Sequence, residues 1–338
     1  MHNLTLSSNS RLASRFRIHW LVVGMLMCCA SLPGAGRALG MERQNAAEMR
    51  LVPGGTFIMG DARLEGNAAE QPLHAIHLDA FWIERCEVSS ALWRAVAGWA
   101  KTNGYEFANV PPGKSNHPIS GLEWYDCVKW CNARSEREGV TPVYYLDAAQ
   151  TAICRSGSEN LSNANVKWEE DGYRLPTEAE WEKAARGGRE NQDFPWLGNG
   201  TNGILPIDGS KANFWMSFHP FWNPDPYDDG STPAGYYNGA QTPPGSDMAN
   251  GYGLYDMAGN VWEYCWDWFD PNYYAVSPEK NPRGPDTGRV RVIRGGSWNS
   301  SPAQLRCSFR SDYWKPSYRS RSCGLRCVRT AGRGDTAP

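Results

Sequence analysis

Histidine is sparse in this chain. Of its six histidines, four (His74, His77, His117 and His219) lie beyond the first forty residues. No CxxC pair occurs, and Cys323 and Cys327 stand at C-x3-C spacing with no matching Cys/His pair nearby, which argues against a zinc site. Net charge is also scarce: 34 basic against 36 acidic side chains give -2, so no global field draws the chain to nucleic acid or anionic lipid. Nor is there an internal repeat, a low-complexity run or a linker that would separate two domains. What is abundant is aromatic and turn-forming: 16 Trp, 35 Gly and 23 Pro. Large rings bury much area while Gly and Pro interrupt regular elements, which predicts one compact, loop-rich domain.

The first segment reads as an export signal. Arg11, Arg15 and Arg17 precede an apolar run from Trp20 to Ala30, followed by Pro33 and small residues up to Ala38. The run is about half of what a stable bilayer-spanning helix needs. Cleavage is expected after Ala38, leaving a periplasmic or secreted chain; a retained anchor and lipidation at Cys28 or Cys29 are the alternatives. The organisation expected is a signal peptide over 1–38, a polar lead-in over 39–49, one domain over 50–329 and a tail over 330–338. Eight cysteines remain after the signal: Cys86, Cys127, Cys131, Cys154, Cys265, Cys307, Cys323 and Cys327. An even count in an exported chain reads as disulfides.

Three helix starts are legible. Ser89 can cap SSALWRAVAGWA; Ser120 with Glu123 forms a capping box ahead of WYDCVKWCNAR; Thr177 with Glu180 forms another ahead of WEKAARGG, with Gly187 as the stop. Trp124, Cys127, Val128 and Cys131 share one helical stripe, which predicts burial. MRLVPGGTFIMGD reads as a strand with a Pro-Gly-Gly turn inside it, and FWIERCEV, RVRVIRGGSW and SCGLRCVR read as further strands. From Phe194 to Asn250 the chain is nearly all Gly, Pro, Asn, Asp, Ser and aromatics, a stretch that bound cations could organise.

Several segments together resemble the sulfatase-modifying-factor family, whose founding member is formylglycine-generating enzyme: LVPGGTFIMGD, FWIERCEVSSALW, HPISGLEWYDCVKWC, GYRLPTEAEWEKAARGG, NGYGLYDMAGNVWEY, VIRGGSW and CGLRCVR, in family order over about 50–329. The resemblance implies a single α+β domain of low regular structure, related to C-type lectins. It implies one calcium site at Asp256 and Glu263 with the carbonyls of Gly259 and Val261. A second would use Asn213, the carbonyl of Phe214, Asp225 and the carbonyl of Tyr227. Calcium takes six to eight hard oxygen ligands, and the competing reading is that these acids cap turns or sit in solvated loops. The resemblance also implies the disulfide Cys131–Cys327 and shows the usual helix partner of Cys307 replaced by Ala185; Cys265 is the candidate mate for Cys307, the alternative being that both are reduced thiols in the groove. Pairing of Cys86, Cys127, Cys154 and Cys323 stays unassigned.

The departure from the family is in its chemistry. Formylglycine-generating enzymes hold copper(I) on two thiolates shortly after a GGS motif and oxidise a substrate cysteine. Here the motif is followed by WNSSPAQLRC: Ser300 stands where the first thiolate would be, and Ser301–Leu305 contains no cysteine. A protonated hydroxyl is a hard, poor ligand for Cu(I), so copper is not expected. An iron site on a histidine triad lacks its histidines; His74 and His77 could form a metal pair on one face of an extended segment or serve structurally. Ser297, Trp298, Asn299 and Ser300 match the floor of the family's substrate groove, with Trp262 beside it. From Arg289 to Arg329 there are nine arginines and one lysine against one acid, Asp312. These either pair with carboxylates elsewhere in the domain or line an electropositive groove, with Arg310 and Arg306 as candidates. The readings are an enzyme that modifies a peptide or small-molecule side chain without the two-cysteine copper route, or a non-catalytic, calcium-stabilised domain binding a peptide, protein or small molecule. A true formylglycine-generating oxidase with relocated thiols ranks below both. Nucleic-acid binding and stable membrane insertion are not expected.

Overall fold

The computed structural model describes residues 49–109, 111–196, 207–215, 217, 230–242, 244–332 and 335. The proposed export signal, His219, Asp225 and Tyr227 lie outside these residues. The described residues form one compact unit with short elements and long connections, an α+β arrangement. No helix among them is long and apolar enough to cross a membrane.

Eight strands make three small sheets: β1 (Met49–Val52), β2 (Gly55–Met59), β3 (His74–Leu78), β4 (Phe81–Glu84), β5 (Trp262–Trp268), β6 (Arg291–Arg294), β7 (Cys323–Gly324) and β8 (Val328–Thr330). Their orders are β1-β4-β8, β2-β3 and β6-β5-β7. Neighbours are antiparallel except β5 and β7, which run parallel. The strand expected over MRLVPGGTFIMGD is two strands in two different sheets. Pro53 has no N–H to give a ladder, and a side chain on Gly54 would start 3.1 Å from the Ala80 nitrogen, so the chain crosses there from one sheet to the other. SCGLRCVR splits likewise, into β7 and β8.

The helices are α1 (Ser90–Ala100), α2 (Trp124–Glu138) and α3 (Glu178–Arg186). Ser89 caps α1, accepting from Leu92 N at 3.2 Å. At α3 the reciprocal box closes as expected: Thr177 Oγ1 accepts from Glu180 N at 3.2 Å, and Glu180 Oε2 accepts from Thr177 N at 2.8 Å. Gly187 ends α3 in the left-handed region at φ 59°. The box expected at Ser120 does not form: α2 begins at Trp124 with Glu123 as an N-cap that makes no side-chain cap bond. The reason is tertiary. Trp124 N donates to Pro316 O at 2.9 Å and Gly121 N to Ser320 O at 2.8 Å, so the loop at 316–320 holds the 121–124 segment ahead of the helix. Glu123 instead meets Arg319 at 2.7 Å.

The predicted α2 stripe is buried: Trp124, Cys127 and Cys131 are 0% exposed and Val128 is 1%. Trp130, also on α2, stacks on Trp93 of α1 with centroids 5.1 Å apart and donates Nε1–H to Trp93 O at 3.1 Å. A second cluster joins α3, β2, β3 and β4 around Trp181. Burying a large apolar side chain is worth about 1.5–3 kcal/mol. The rings therefore supply what such short strands cannot.

Candidate functional site

The proposed groove begins where β6 ends. Gly295 and Gly296 both take positive φ, 91° and 73°, and turn the chain into Ser297. Ser300 Oγ accepts from Ser297 N at 3.0 Å and lies 3.0 Å from Ser297 Oγ, and Ser297 Oγ donates to Asn299 Oδ1 at 2.7 Å. The hydroxyl at the first copper-thiolate position thus closes its own turn. Trp298 N donates to Asn260 O at 2.8 Å, and a side chain on Gly230 would come within 2.7 Å of the Trp298 ring. The structure brings Ser297–Ser300 together, but only Asn299 is exposed; Trp262 and Trp298 are 2% and 7% exposed.

What faces solvent around this turn is aromatic, and composition alone had not singled it out. Trp215 is 59% exposed and its backbone N–H donates to Ser300 O at 3.0 Å; Tyr313 is 56% exposed, meets Trp262 edge-on at 6.4 Å and accepts from Gln304 Nε2 at 3.0 Å. Tyr318, 52% exposed, stacks on Trp314 at 5.8 Å. These rings were visible in the sequence, but no periodicity marks an isolated loop aromatic as exposed.

The arginines do not build an electropositive groove. Arg310 holds both oxygens of Glu178 at 2.7 and 2.9 Å, and Arg306 holds Glu70 at 2.8 and 2.9 Å, with the side chains 0% and 6% exposed. Arg294 pairs with Glu182, and Arg326 with Glu263. Among the described residues Arg291 has no carboxylate in ion-pair contact; it donates to Trp266 O and Leu161 O and lies against Trp124 and Trp268, 3.7 and 3.6 Å from their centroids.

All eight thiols of the domain are free in the structure, and all but Cys86 are buried. Cys131 and Cys327 face each other with sulfurs 3.7 Å apart; Cys265 and Cys307 share one core cluster. Burial pushes the Cys307 thiol up to about 12 and that of Cys265 well above the usual range. Neither offers a thiolate to a cleft, so the donor set around Ser300 does not fit Cu(I). His74 Nδ1 lies 3.0 Å from Pro72 O and its ring packs on Tyr274, whereas His77 Nδ1 lies 3.3 Å from Thr56 Oγ1, so their ring nitrogens engage different partners.

The residues expected at the first calcium site have an unequal setting. Glu263 is 0% exposed and its carboxylate is filled, accepting from Arg326 at 2.7 Å and from Trp181 Nε1 at 2.7 Å. Asp256 sits at φ 56° and accepts from Gly235 N. Its neighbour Glu87, missed in the sequence, is 4% exposed and has both oxygens without a hydrogen-bond partner. Burial raises the pKa of Glu87, and the nearby Asp256 charge raises it further; Asp256 is raised by burial as well. Among the described residues no three His, Cys, Asp or Glu side chains converge as metal ligands, so a dication here would rely on Glu87, Asp256 and backbone oxygens of the 259–261 turn. At the second expected site Asn213 Nδ2 donates to Gly230 O at 2.9 Å, Asn213 O accepts from Asn260 N, and Phe214 O accepts from Ser217 N. Asn260 therefore links both expected cation sites to the serine turn.

A family model for the sulfatase-modifying factor enzyme 1-like domain matches residues 36–331. The chain is similar to the formylglycine-generating enzyme of Streptomyces coelicolor, 34% identical over 313 residues covering 86% of this chain and 91% of that protein. It is also similar to that of Thermomonospora curvata, 34% identical over 75% of this chain and 83% of the relative, and to chaperone protein LppX of Paenibacillus barcinonensis, 33% identical over 67% and 72%. Among solved structures, Treponema denticola variable protein 1 superposes with TM-score 0.57 at 26% identity, over 84% of this chain and 95% of that one. PvdO from Pseudomonas aeruginosa has TM-score 0.59 at 22% identity, over 84% and 94%, a likeness of fold. The chain belongs to the sulfatase-modifying factor enzyme 1-like family.

Proposed function

We propose that this chain is an exported, calcium-stabilised binding member of its family and not a copper oxidase. The observation that carries this is the serine turn: Ser300 Oγ is bound to Ser297 at the position that matches the family's first thiolate, and the candidate thiols Cys265 and Cys307 are buried, with burial raising the pKa of each. Among the described residues the charged groups Arg306, Arg310 and Arg326 are committed to ion pairs with Glu70, Glu178 and Glu263, which leaves none of them to act as a general base or acid. The surface the turn offers includes exposed Asn299, the exposed ring of Trp215, whose backbone is bonded to Ser300, and the exposed ring of Tyr313 against Trp262. Aromatic rings recognise flat, weakly polar faces, so the ligand class is a peptide or small molecule presenting such faces around a hydrogen-bonding group. Calcium on Glu87 and Asp256 would neutralise the buried acid pair and fix the 256–263 turn beneath this surface.

A peptide library with and without cysteine, screened by thermal shift on the secreted protein, tests this reading. Binders independent of cysteine, weakened about tenfold or more by Trp215→Ala or Tyr313→Ala, as befits interface hot spots, are the expected result. Conversion of a peptide thiol to an aldehyde would overturn it.

A further inference from the structure

On the far side of α3 lies a second polar site. Successive helical residues are about 100° apart, so Trp181 and Lys183 point to opposite faces. Trp181 reaches Glu263, whereas Lys183 Nζ donates to Gly55 O at 2.8 Å in the β1–β2 turn. Lys183 is 5% exposed, and among the described residues no carboxylate stands within ion-pair reach of it. The adjacent acid, Glu182, is committed to Arg186 and Arg294. Other cations of this helix region show the contrast: Arg174 has Glu180 and Arg186 has Glu182. A buried ammonium with one carbonyl partner is desolvated without compensation. Burial alone lowers its pKa to about 8.

Lys183 borders a cavity of about 170 Å³, lined also by Gly54, Gly55, Arg186, Arg189, Glu190 and Tyr252. A water occupies about 30 Å³ of liquid, so there is room for a multi-atom ion with hydration. Arg186 is held by Glu182 and by the carbonyls of Gly60 and Gln192, while Arg189 is exposed at the mouth; Glu190 is the one acid on the rim, also exposed. We propose that this cavity is an oxyanion site, taking a phosphate, sulfate or carboxylate group with Lys183 as its buried charge and Arg189 as its outer one. The family resemblance assigns nothing to it, and it is separate from the serine turn. A bound oxyanion supplies the counter-charge that the fold leaves out, and Gly55, whose missing side chain would meet nothing within 4 Å, leaves open space beside its backbone.

The test is thermal unfolding of the secreted protein at low ionic strength with sodium phosphate, sulfate, acetate or chloride at matched ionic strength. The wild type is expected to gain about 2–4 °C over chloride once an oxyanion exceeds its Kd several-fold. Lys183→Met removes the uncompensated charge; it should melt higher than wild type in chloride and show no oxyanion increment, while Lys183→Arg keeps one. An increment with inorganic phosphate points to a free ion, and one seen only with O-phosphoserine points to a carried group; both uphold the site. Equal increments in wild type and Lys183→Met, or none in wild type with any oxyanion, would overturn it. Independently of any variant, acetylation of Lys183 by acetic anhydride, read by mass spectrometry, should slow in the presence of the stabilising ion; an unchanged rate contradicts the proposal.

Discussion

Glu263 and Glu87 are both buried near the same turn, yet one is fully matched and the other is not. Glu263 faces Arg326 and Trp181, whereas Glu87 and its neighbour Asp256 face each other, and neither oxygen of Glu87 has a donor. Matched acids belong to the scaffold; the unmatched pair requires a cation or a proton. The same distinction separates Arg310, tied to Glu178, from Lys183, tied only to a carbonyl.

The largest effect should come from unbalancing the matched side. Arg326→Met leaves the Glu263 carboxyl buried without its guanidinium partner, and is expected to cost about 3–5 kcal/mol in urea unfolding. A loss below about 1 kcal/mol would mean that the pair is not fully desolvated. On the unmatched side, calcium at a hundred times its Kd should add about 2.7 kcal/mol, lost with chelator. Glu87→Gln should stabilise the calcium-free protein and shrink the calcium increment; an undiminished increment would place the ion elsewhere.

A third acid sharpens the comparison through pH. Burial, then the Glu178 charge, raises Asp267 from 3.8 to about 8, while it accepts the Glu178 N–H at 2.8 Å. Its folded state therefore holds a proton that the unfolded chain releases between these values, so this group's contribution to stability falls as pH rises from about 4 to about 8. Asp267→Asn should flatten that slope in unfolding titrations, and an identical slope would remove Asp267 from the account. The smallest effect belongs to Ser300→Cys. Losing the Ser297 contacts should cost about 1 kcal/mol, and no oxidase activity should appear, because one thiolate does not make a two-thiolate site.

Local signals were legible where local chemistry decides. Ser89, the Thr177–Glu180 box, Gly187 and the buried α2 stripe follow from capping and periodicity. They failed where distant chain intervenes: the 316–320 loop holds Gly121 and Trp124 where a cap at Ser120 was expected, and β5, WEYCWDW, is buried at every position and has no alternation to read. The missing thiolates were readable because they are identities in a motif. The fate of Arg306 and Arg310 was not, since their partners Glu70 and Glu178 lie 236 and 132 residues away. Glu87 escaped notice for the same reason: its isolation is a property of packing.

The central claim, that this scaffold persists without the two-thiolate copper site, is tested most directly by incubating the purified protein with Cu(I), oxygen and a cysteine-containing sulfatase-type peptide. Mass spectrometry of the peptide should show no aldehyde above a protein-free control. Copper-dependent aldehyde formation, lost on Cys307→Ala, would contradict it.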